Sequence, residues 1–167
     1  MRYRSATVAS AVIGLLLTVF AVAPAAASTG SAVVSAAGHG SALAAVHSAK
    51  GAGTAAAADV ITCTPNVQNP HNSSHVNGTV NVVVTLSCTA PVTYISIRAA
   101  LYRNGSLVKD SGSKTVYGTS SAQNNAAEPC HNATYQGWMS YYVQFPPGYT
   151  PPSGSSQGFG NAVAIVC

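Results

Sequence analysis

Polar and apolar residues alternate along most of the chain beyond residue 59, a pattern typical of half-buried β-strands. The alternation is cleanest in Thr79–Cys88, where β-branched residues dominate, and it resumes in Val92–Arg103. Pro91 lies between these two runs, and we expect it to end the first one. The pattern therefore predicts two successive strands in this part of the chain.

An Asn104-Gly105 pair follows the second run and precedes another extended segment, Ser106–Asp110. Such a pair between alternating runs is the strongest short-range signal for a β-hairpin. Beyond it, the pattern predicts a loop over Ser121–Glu128 and strands over Lys114–Ser121, Thr134–Phe145 and Phe159–Cys167. No segment from residue 59 onward shows a helical period.

Six or seven short strands with turn signals at this spacing predict an all-β fold, an antiparallel two-sheet sandwich of immunoglobulin-like architecture. A small barrel is the alternative, and periodicity does not separate the two. The antibody pattern itself, with a Trp between the two bridging cysteines, is not expected here because Trp138 follows Cys130.

The first 58 residues have a different composition. Arg2 and Arg4 precede an apolar run, and small residues follow it at Ala25-Ala26-Ala27, so residues 1–27 are predicted to be a secretory signal peptide. The run is shorter than a membrane span requires. Residues 28–58 consist largely of Ala, Gly, Ser and Thr and are predicted to be a flexible linker. The folded domain is predicted over residues 59–167.

The chain has four cysteines and no Cys-x-x-Cys pair, which argues against a zinc or redox motif. An even number in an exported chain indicates disulfides. Of the three possible pairings, we predict Cys63–Cys88 and Cys130–Cys167, because they join sequence neighbours and leave one covalent link in each part of the domain.

Charged residues make up only 6% of the chain, with 7 Lys and Arg against 3 Asp and Glu. So few carboxylates exclude most acid–base chemistry and a calcium cage. The basic residues form no cluster beyond Arg2 and Arg4, which argues against nucleic-acid binding. No membrane span is expected once the leader is removed.

Two constellations are compatible with catalysis, but both are weak. Gly154-x-Ser156-x-Gly158 has the spacing of a nucleophile elbow without the strand and helix that must flank one. His71 and His75 have metal-ligand spacing in a loop, with His131 as the only available third ligand. We therefore expect no enzyme activity, no catalytic residue, no metal and no cofactor.

The aromatic residues are the strongest candidates for a binding site. Trp138 and Tyr142 share one face of the Thr134–Phe145 strand, and Tyr149 lies in the proline-rich loop Pro146–Pro152. Aromatic faces flanked by Asn, Gln and Ser are suited to stacking on sugars. The alternative is that Trp138 and Tyr142 belong to an ordinary core.

Three segments resemble a group of small exported actinobacterial β-sandwich proteins of unknown function. They are Leu101-Tyr-Arg-Asn-Gly105 with Val108-Lys109, Pro129-Cys-His-Asn132 with Thr134-Tyr135, and Phe145-Pro-Pro-Gly-Tyr149. The resemblance covers about residues 60–167 and implies an exported, disulfide-linked β-domain with no catalytic residues to transfer.

The leading hypothesis is thus a secreted, non-enzymatic binding or structural domain of the cell exterior, released or loosely attached to the cell wall. A cell-wall glycan or an extracellular protein is its expected partner. The alternative is a secreted protease inhibitor that presents the Pro146–Pro152 loop, since a loop stiffened by proline loses little entropy on binding.

Overall fold

The computed structural model describes residues 41–47 and 59–167, and every regular element in these residues is a β-strand. The predicted signal peptide and the rest of the predicted linker lie outside the described residues. The strands are β1 (Leu43–His47), β2 (Asp59–Val67), β3 (His71–Asn72), β4 (Thr79–Arg103), β5 (Ser106–Pro129), β6 (Ala133–Gln144), β7 (Tyr149–Thr150) and β8 (Ser153–Ile165). No helix that could cross a membrane occurs in these two ranges.

All strand pairs are antiparallel and form one sheet in the order β7-β1-β2-β4-β6-β8, with β3 and β5 also paired to β4. Strand β4 has 25 residues and passes through two halves of this sheet. Its first half pairs with β2 and its second half with β6, while β5 runs beside both. Strands β7 and β8, at the two ends of the order, do not pair with each other in the described residues.

Pro91 does not end a strand, contrary to the prediction. It is exposed and lies where the register between β4 and β5 shifts, between Ser87 and Val92. A proline has no N–H group to donate, and an irregularity in the ladder is where that loss is tolerated. The two predicted strands are therefore one strand with an irregular middle.

The hydrophobic core lies between the two halves of the sheet. The first half contributes Val80, Val82, Val84 and Leu86, and the second half contributes Ile95, Ile97, Ala99 and Leu101, all buried. The halves approach closely at Gly137 of β6, because a Cβ atom there would lie 2.4 Å from Cγ2 of Val82. The arrangement is sandwich-like, although hydrogen bonds join the halves into one sheet.

The Asn104-Gly105 hairpin is confirmed. Both residues have positive φ angles, 49° and 80°, as a two-residue turn of type I′ requires. The Asn104 carboxamide oxygen also accepts a 3.0 Å hydrogen bond from the Thr134 backbone N–H, which ties the turn to β6.

The loop predicted over Ser121–Glu128 is wrong, because β5 continues to Pro129. Ala122 and Ala126 are buried on its inner side, while Gln123 and Asn125 point outward. Small inner residues and amides made this segment resemble a loop in the sequence. Pairing with the first half of β4 supplies the hydrogen bonds that hold it as a strand.

Strand β1 lies within the segment predicted to be a flexible linker. It pairs with β2 from Leu43–Cys63 to His47–Asp59, and Ala45 is fully buried. Backbone pairing with β2, the buried Ala45 and the packing of Leu43 against the core hold this segment. Most of its neighbours in the sequence are small, so no alternating apolar pattern predicted a strand here.

Both predicted disulfides, Cys63–Cys88 and Cys130–Cys167, are confirmed. Cys63 and Cys88 are directly opposite each other on β2 and β4. The second bond ties Cys167, which follows β8, to the segment between β5 and β6.

Candidate functional site

The outer surface of the second half of the sheet carries a continuous array of aromatic and hydroxyl side chains. The register places these residues in rows that cross β5, β4, β6 and β8. We call the array the aromatic face and define it by its six ring side chains, Tyr94, Tyr102, Tyr117, Trp138, Tyr142 and Phe159. The other Tyr and Phe side chains of the described ranges do not belong to this face, since Tyr135, Tyr141 and Phe145 are buried and Tyr149 is half-buried against the core.

Three tyrosines form one end of the aromatic face. The ring of Tyr94 lies 5.7 Å from that of Tyr117 and 5.6 Å from that of Tyr142, measured between centroids. Tyr117 is 74% exposed, although its side chain is large and partly apolar. Desolvation and the hydrogen bond with the neighbouring Tyr142 raise the pKa of Tyr94 above its ordinary value.

Trp138, Tyr102 and Phe159 form the other end. Trp138 is opposite Phe159 on β8 and Ala100 on β4, and the rings of Tyr102 and Phe159 meet edge to face at 5.1 Å. Trp138 is half-buried, and no described residue stacks on its ring or accepts a hydrogen bond from its indole N–H. Phe159 is 40% exposed.

A shallow groove of about 500 Å³ lies on the same surface, beside Tyr142. Besides Tyr141, Tyr142 and Arg98, its lining consists of Ser96, Ser113, Ser140, Ser155, Ser156 and Gln157. Tyr141 and Ser156 alternate to the inner side of the sheet, so the outward hydroxyls of the groove are those of Ser96, Ser113, Ser140 and Ser155. Serine hydroxyls both donate and accept hydrogen bonds, and Gln157 adds an amide that does the same. The groove is thus suited to a ligand with many hydroxyl groups.

Arg98 and Asp110 form an ion pair at the groove. The guanidinium Nε donates to Oδ1 of Asp110 at 2.8 Å, and Nη2 donates to Oδ2. The hydrogen bond from Arg98, together with the Gly112 backbone N–H, lowers the pKa of Asp110 to about 2. Asp110 is therefore ionised at neutral pH and compensates the charge of Arg98.

The structure brings together two of the three residues predicted to bind a ligand. Trp138 and Tyr142 point outward from the same strand with Ser140 between them. Their Cα atoms are four residues, or about 13 Å, apart along the extended strand. This is compatible with the predicted stacking surface, and both rings are partly exposed rather than part of the core.

The third residue, Tyr149, lies elsewhere. It is in β7, paired with His47, and its ring packs near those of Phe145 and His47 with centroids 6.5 Å and 5.2 Å away. Phe145 is a buried core residue. Tyr149 therefore covers one end of the core instead of extending the aromatic face.

The loop around Tyr149 is closed by its own hydrogen bonds. The Phe145 N–H donates to the Pro152 carbonyl at 2.9 Å, and the Tyr149 N–H donates to Pro146 at 3.3 Å. Pro147 and Gly148 are its exposed tip. Tyr149 itself is half-buried, so the largest side chain of the loop is not presented to solvent.

The weak catalytic and metal constellations remain unsupported by local geometry. Ser156 lies in the middle of β8, and its Oγ accepts a 3.1 Å hydrogen bond from the Ser41 N–H rather than facing a histidine. The Tyr141 hydroxyl donates to the Ser41 carbonyl beside it. Among the described residues, no three His, Cys, Asp or Glu side chains are grouped as metal ligands.

Sequence reasoning missed the polar part of this site. Arg98 and Asp110 are 12 residues apart, and Ser155 and Gln157 belong to a stretch rich in Ser and Gly that precedes the predicted strand Phe159–Cys167. In the structure β8 begins earlier, at Ser153. The signal available in the sequence for this part of β8 was the alternation of Ser155, Gln157 and Phe159 with small residues. It was hidden because the inner positions are Gly154, Ser156 and Gly158, which do not look like a core face.

Fold and site together define a class: an all-β domain with two disulfides and an aromatic, hydroxyl-rich outer face. No protein-family model, no curated protein and no solved structure matches the chain significantly. The resemblance to exported actinobacterial proteins therefore stays a prediction.

Proposed function

We propose that this protein is a secreted, non-enzymatic binding domain of the cell exterior, and that its aromatic face binds a glycan. The observation that carries the proposal is the one-sided distribution of exposed rings. All outward Tyr, Trp and Phe side chains of the described sheet lie on one surface, around a groove lined by serines. Folding does not require large rings on the solvent side of a sheet.

The chemistry of the aromatic face suits a sugar chain. The C–H face of a pyranose ring is apolar and packs on an aromatic ring, while its hydroxyl groups need hydrogen-bond partners. Rings lie at both ends of the face, and the groove between them supplies hydroxyl and amide groups. A small number of polar groups among apolar ones is what fixes a ligand's orientation in a binding site.

The two disulfides are consistent with an extracellular location, because such bonds persist in oxidising compartments. Export through the predicted leader is part of the proposal. So is an immunoglobulin-like sandwich, which is supported by the core between the two halves of the sheet and by strands β4 and β5 running through both.

The test measures depletion of the purified protein from solution by insoluble peptidoglycan, chitin and cellulose. Wild-type protein is compared with Trp138→Ala and with Val60→Ala, which truncates an exposed side chain on β2 in the other half. We expect saturable binding to at least one matrix, a loss of about tenfold or more in Trp138→Ala, and no loss in Val60→Ala. Absence of binding to all three, or equal binding by all proteins, contradicts the proposal.

The alternative function is protease inhibition by the Pro146–Pro152 loop. Its closed, hydrogen-bonded shape favours this function, since a pre-organised loop binds at low entropic cost. The inward packing of Tyr149 argues against it, because an inhibitor must offer a side chain to the protease. The test measures inhibition of serine proteases and metalloproteases by the purified protein at micromolar concentration. Inhibition by the wild type that is weakened in Pro147→Ala supports the alternative, and absence of inhibition contradicts it.

A further inference from the structure

We infer that the groove selects uncharged glycans, and that Asp110 sets this selectivity by occupying the Arg98 guanidinium. The inference rests on the proposed glycan-binding function and names the ligand class of the same site. It starts from the position of Arg98, the only charged residue among the described residues that line the groove.

Arg98 lies in the middle of the aromatic face. Its row contains Ser113, Ser140 and Gln157, between the row of Tyr142 and the row of Trp138. The nearby lysines of β5 alternate to the other side, since Lys114 pairs with Ile97 and Lys109 with Leu101, both buried residues. Any charged group of a ligand in the groove would therefore meet Arg98 first.

The guanidinium is already engaged in the geometry with which arginine binds carboxylates. Nε and Nη2 donate to the two oxygens of Asp110, which is the bidentate arrangement also used for carboxylate, phosphate and sulfate groups. The remaining guanidinium N–H groups are free to donate to neutral oxygens such as sugar hydroxyls.

A bulge in β5 holds Asp110 in this position. The register shifts between Arg98 and Ala100 so that β5 carries an extra residue, and Gly112 takes a φ of +68°. The Gly112 N–H donates to Oδ1 of Asp110 at 2.9 Å. Bulges of this kind commonly redirect a side chain beside a functional site.

Asn124 fixes the bulge from the other end of β5. Its Nδ2 lies 2.9 Å from Ser111 Oγ and 3.1 Å from the carbonyl oxygens of Gly112 and Ile97. Ser111 Oγ in turn accepts a 2.8 Å hydrogen bond from the Ala99 N–H. The bulge is thus held in place by hydrogen bonds, and with the Gly112 N–H it pre-organises the Asp110 carboxylate beside Arg98.

An anionic glycan would consequently bring a second negative charge next to Asp110. Like charges in contact are unfavourable, and the arginine that would offset them is already paired. A neutral chain meets no such repulsion and uses the serine hydroxyls and the free guanidinium N–H groups. The groove is therefore selective by charge, although it contains an arginine.

The test uses glycans that share a backbone and differ in charge: hydroxyethyl cellulose against carboxymethyl cellulose, and glycol chitin against carboxymethyl chitin. Affinities are measured by tryptophan fluorescence at low and high salt for the wild type and Asp110→Asn. Wild type is expected to prefer the neutral member of each pair. In Asp110→Asn, the ratio of anionic to neutral affinity rises about tenfold at low salt, because a charge-assisted hydrogen bond becomes available, and high salt removes the gain.

Glu128→Gln is the matched control. It frees Arg103, whose Nη1 lies 3.2 Å from Glu128 and which does not line the groove, so the affinity ratio should not change. The double variant Arg98→Gln/Asp110→Asn should lose the gain of the single variant. Circular dichroism verifies that each variant is folded.

The outcomes distinguish the inference from the proposed function. If wild type binds neutral glycans and Asp110→Asn shows no gain on the anionic ones, the charge selectivity is wrong and the binding function stands. If wild type prefers the anionic glycans, Arg98 is accessible and the inference is overturned. If no variant binds any glycan, the proposed function fails, and the inference fails with it.

Discussion

Strand β4 exposes two different outer surfaces along its 25 residues. In the first half of the sheet, its outward residues are short and polar or β-branched: Thr79, Asn81, Val83, Thr85 and Ser87. In the second half, they include two tyrosines and an arginine: Tyr94, Ser96, Arg98, Ala100 and Tyr102. The inner residues of both halves are aliphatic and buried.

This difference within one strand distinguishes the side chains that folding requires from those that it does not require. Both halves bury a similar aliphatic face and pair with strands on both sides, so the fold makes similar demands on them. The first half shows that short side chains satisfy those demands on the outside. The rings and the Arg98–Asp110 pair of the second half therefore call for another explanation, and ligand binding supplies one.

The largest expected effect comes from removing the disulfide of the first half. Replacing Cys63 and Cys88 by Ala should lower the free energy of unfolding by about 3–4 kcal/mol, because the unfolded chain gains the entropy of an open loop. Denaturant titration measures the change. Glycan affinity under conditions where the variant is folded should stay the same, since the bond joins β2 to the first half of β4 and no residue of the aromatic face takes part in it. A parallel loss of stability and affinity would contradict the separation of the halves.

The next effect comes from forcing the halves apart. Gly137→Ala places a Cβ atom 2.4 Å from Val82 and 2.9 Å from Val67, which requires the core to shift. We expect a loss of about 1–3 kcal/mol, as for overpacked cores, measured by thermal and denaturant unfolding. Ser140→Ala, on the outer side of the same strand, is the control and should change stability by less than about 0.5 kcal/mol. Equal stability of the two variants would contradict the packing described here.

Matched truncations on the two outer surfaces test the comparison directly. Tyr94→Ala should cost about 1 kcal/mol of stability through the lost ring contacts and should weaken glycan binding. Thr85→Ala on the first half should be within about 0.5 kcal/mol of wild type and leave binding unchanged. Stability is measured by thermal unfolding and binding by depletion. Weaker binding in Thr85→Ala would show that the ligand also uses the first half.

The smallest effect concerns pH. The pKa of Asp110 is about 2 in the folded protein against an ordinary 3.8, so its ionised form favours the folded state. That contribution is present above about pH 4 and is lost as the pH falls through about 2. The melting temperatures of wild type and Asp110→Asn should therefore differ slightly at pH 5 and converge at pH 2. The Arg98–Asp110 pair is partly exposed, so the difference in melting temperature is expected to be small. A difference that stays constant from pH 5 to pH 2 would exclude the ion pair as its source.

Much of the fold could be predicted from local patterns. Alternation in Thr79–Cys88, Val92–Arg103 and Thr134–Phe145 located the main strands, and Asn104-Gly105 located the hairpin. The cysteine pairing followed from sequence proximity. These features depend on neighbouring residues, and the information for them is local.

The two segments that were not predicted as strands share one cause. Residues 121–129 and Leu43–His47 become strands because partners far away in sequence supply their hydrogen bonds. Their buried residues are all alanines, Ala45, Ala122 and Ala126. A pattern of small residues predicts neither burial nor pairing until the partner strand is known.

The sequence by itself determined the all-β class, the hairpin turn, the inner and outer positions of the main strands and the placement of Trp138 beside Tyr142. Period-two alternation and turn chemistry are local properties of the chain, which is why they could be derived there. Only the tertiary structure decided that Tyr149 packs against the core, that β8 supplies Ser155, Gln157 and Phe159 to the same face, and that Asp110 neutralises Arg98. These contacts depend on strand order, register and a bulge, which arise from pairing between distant segments.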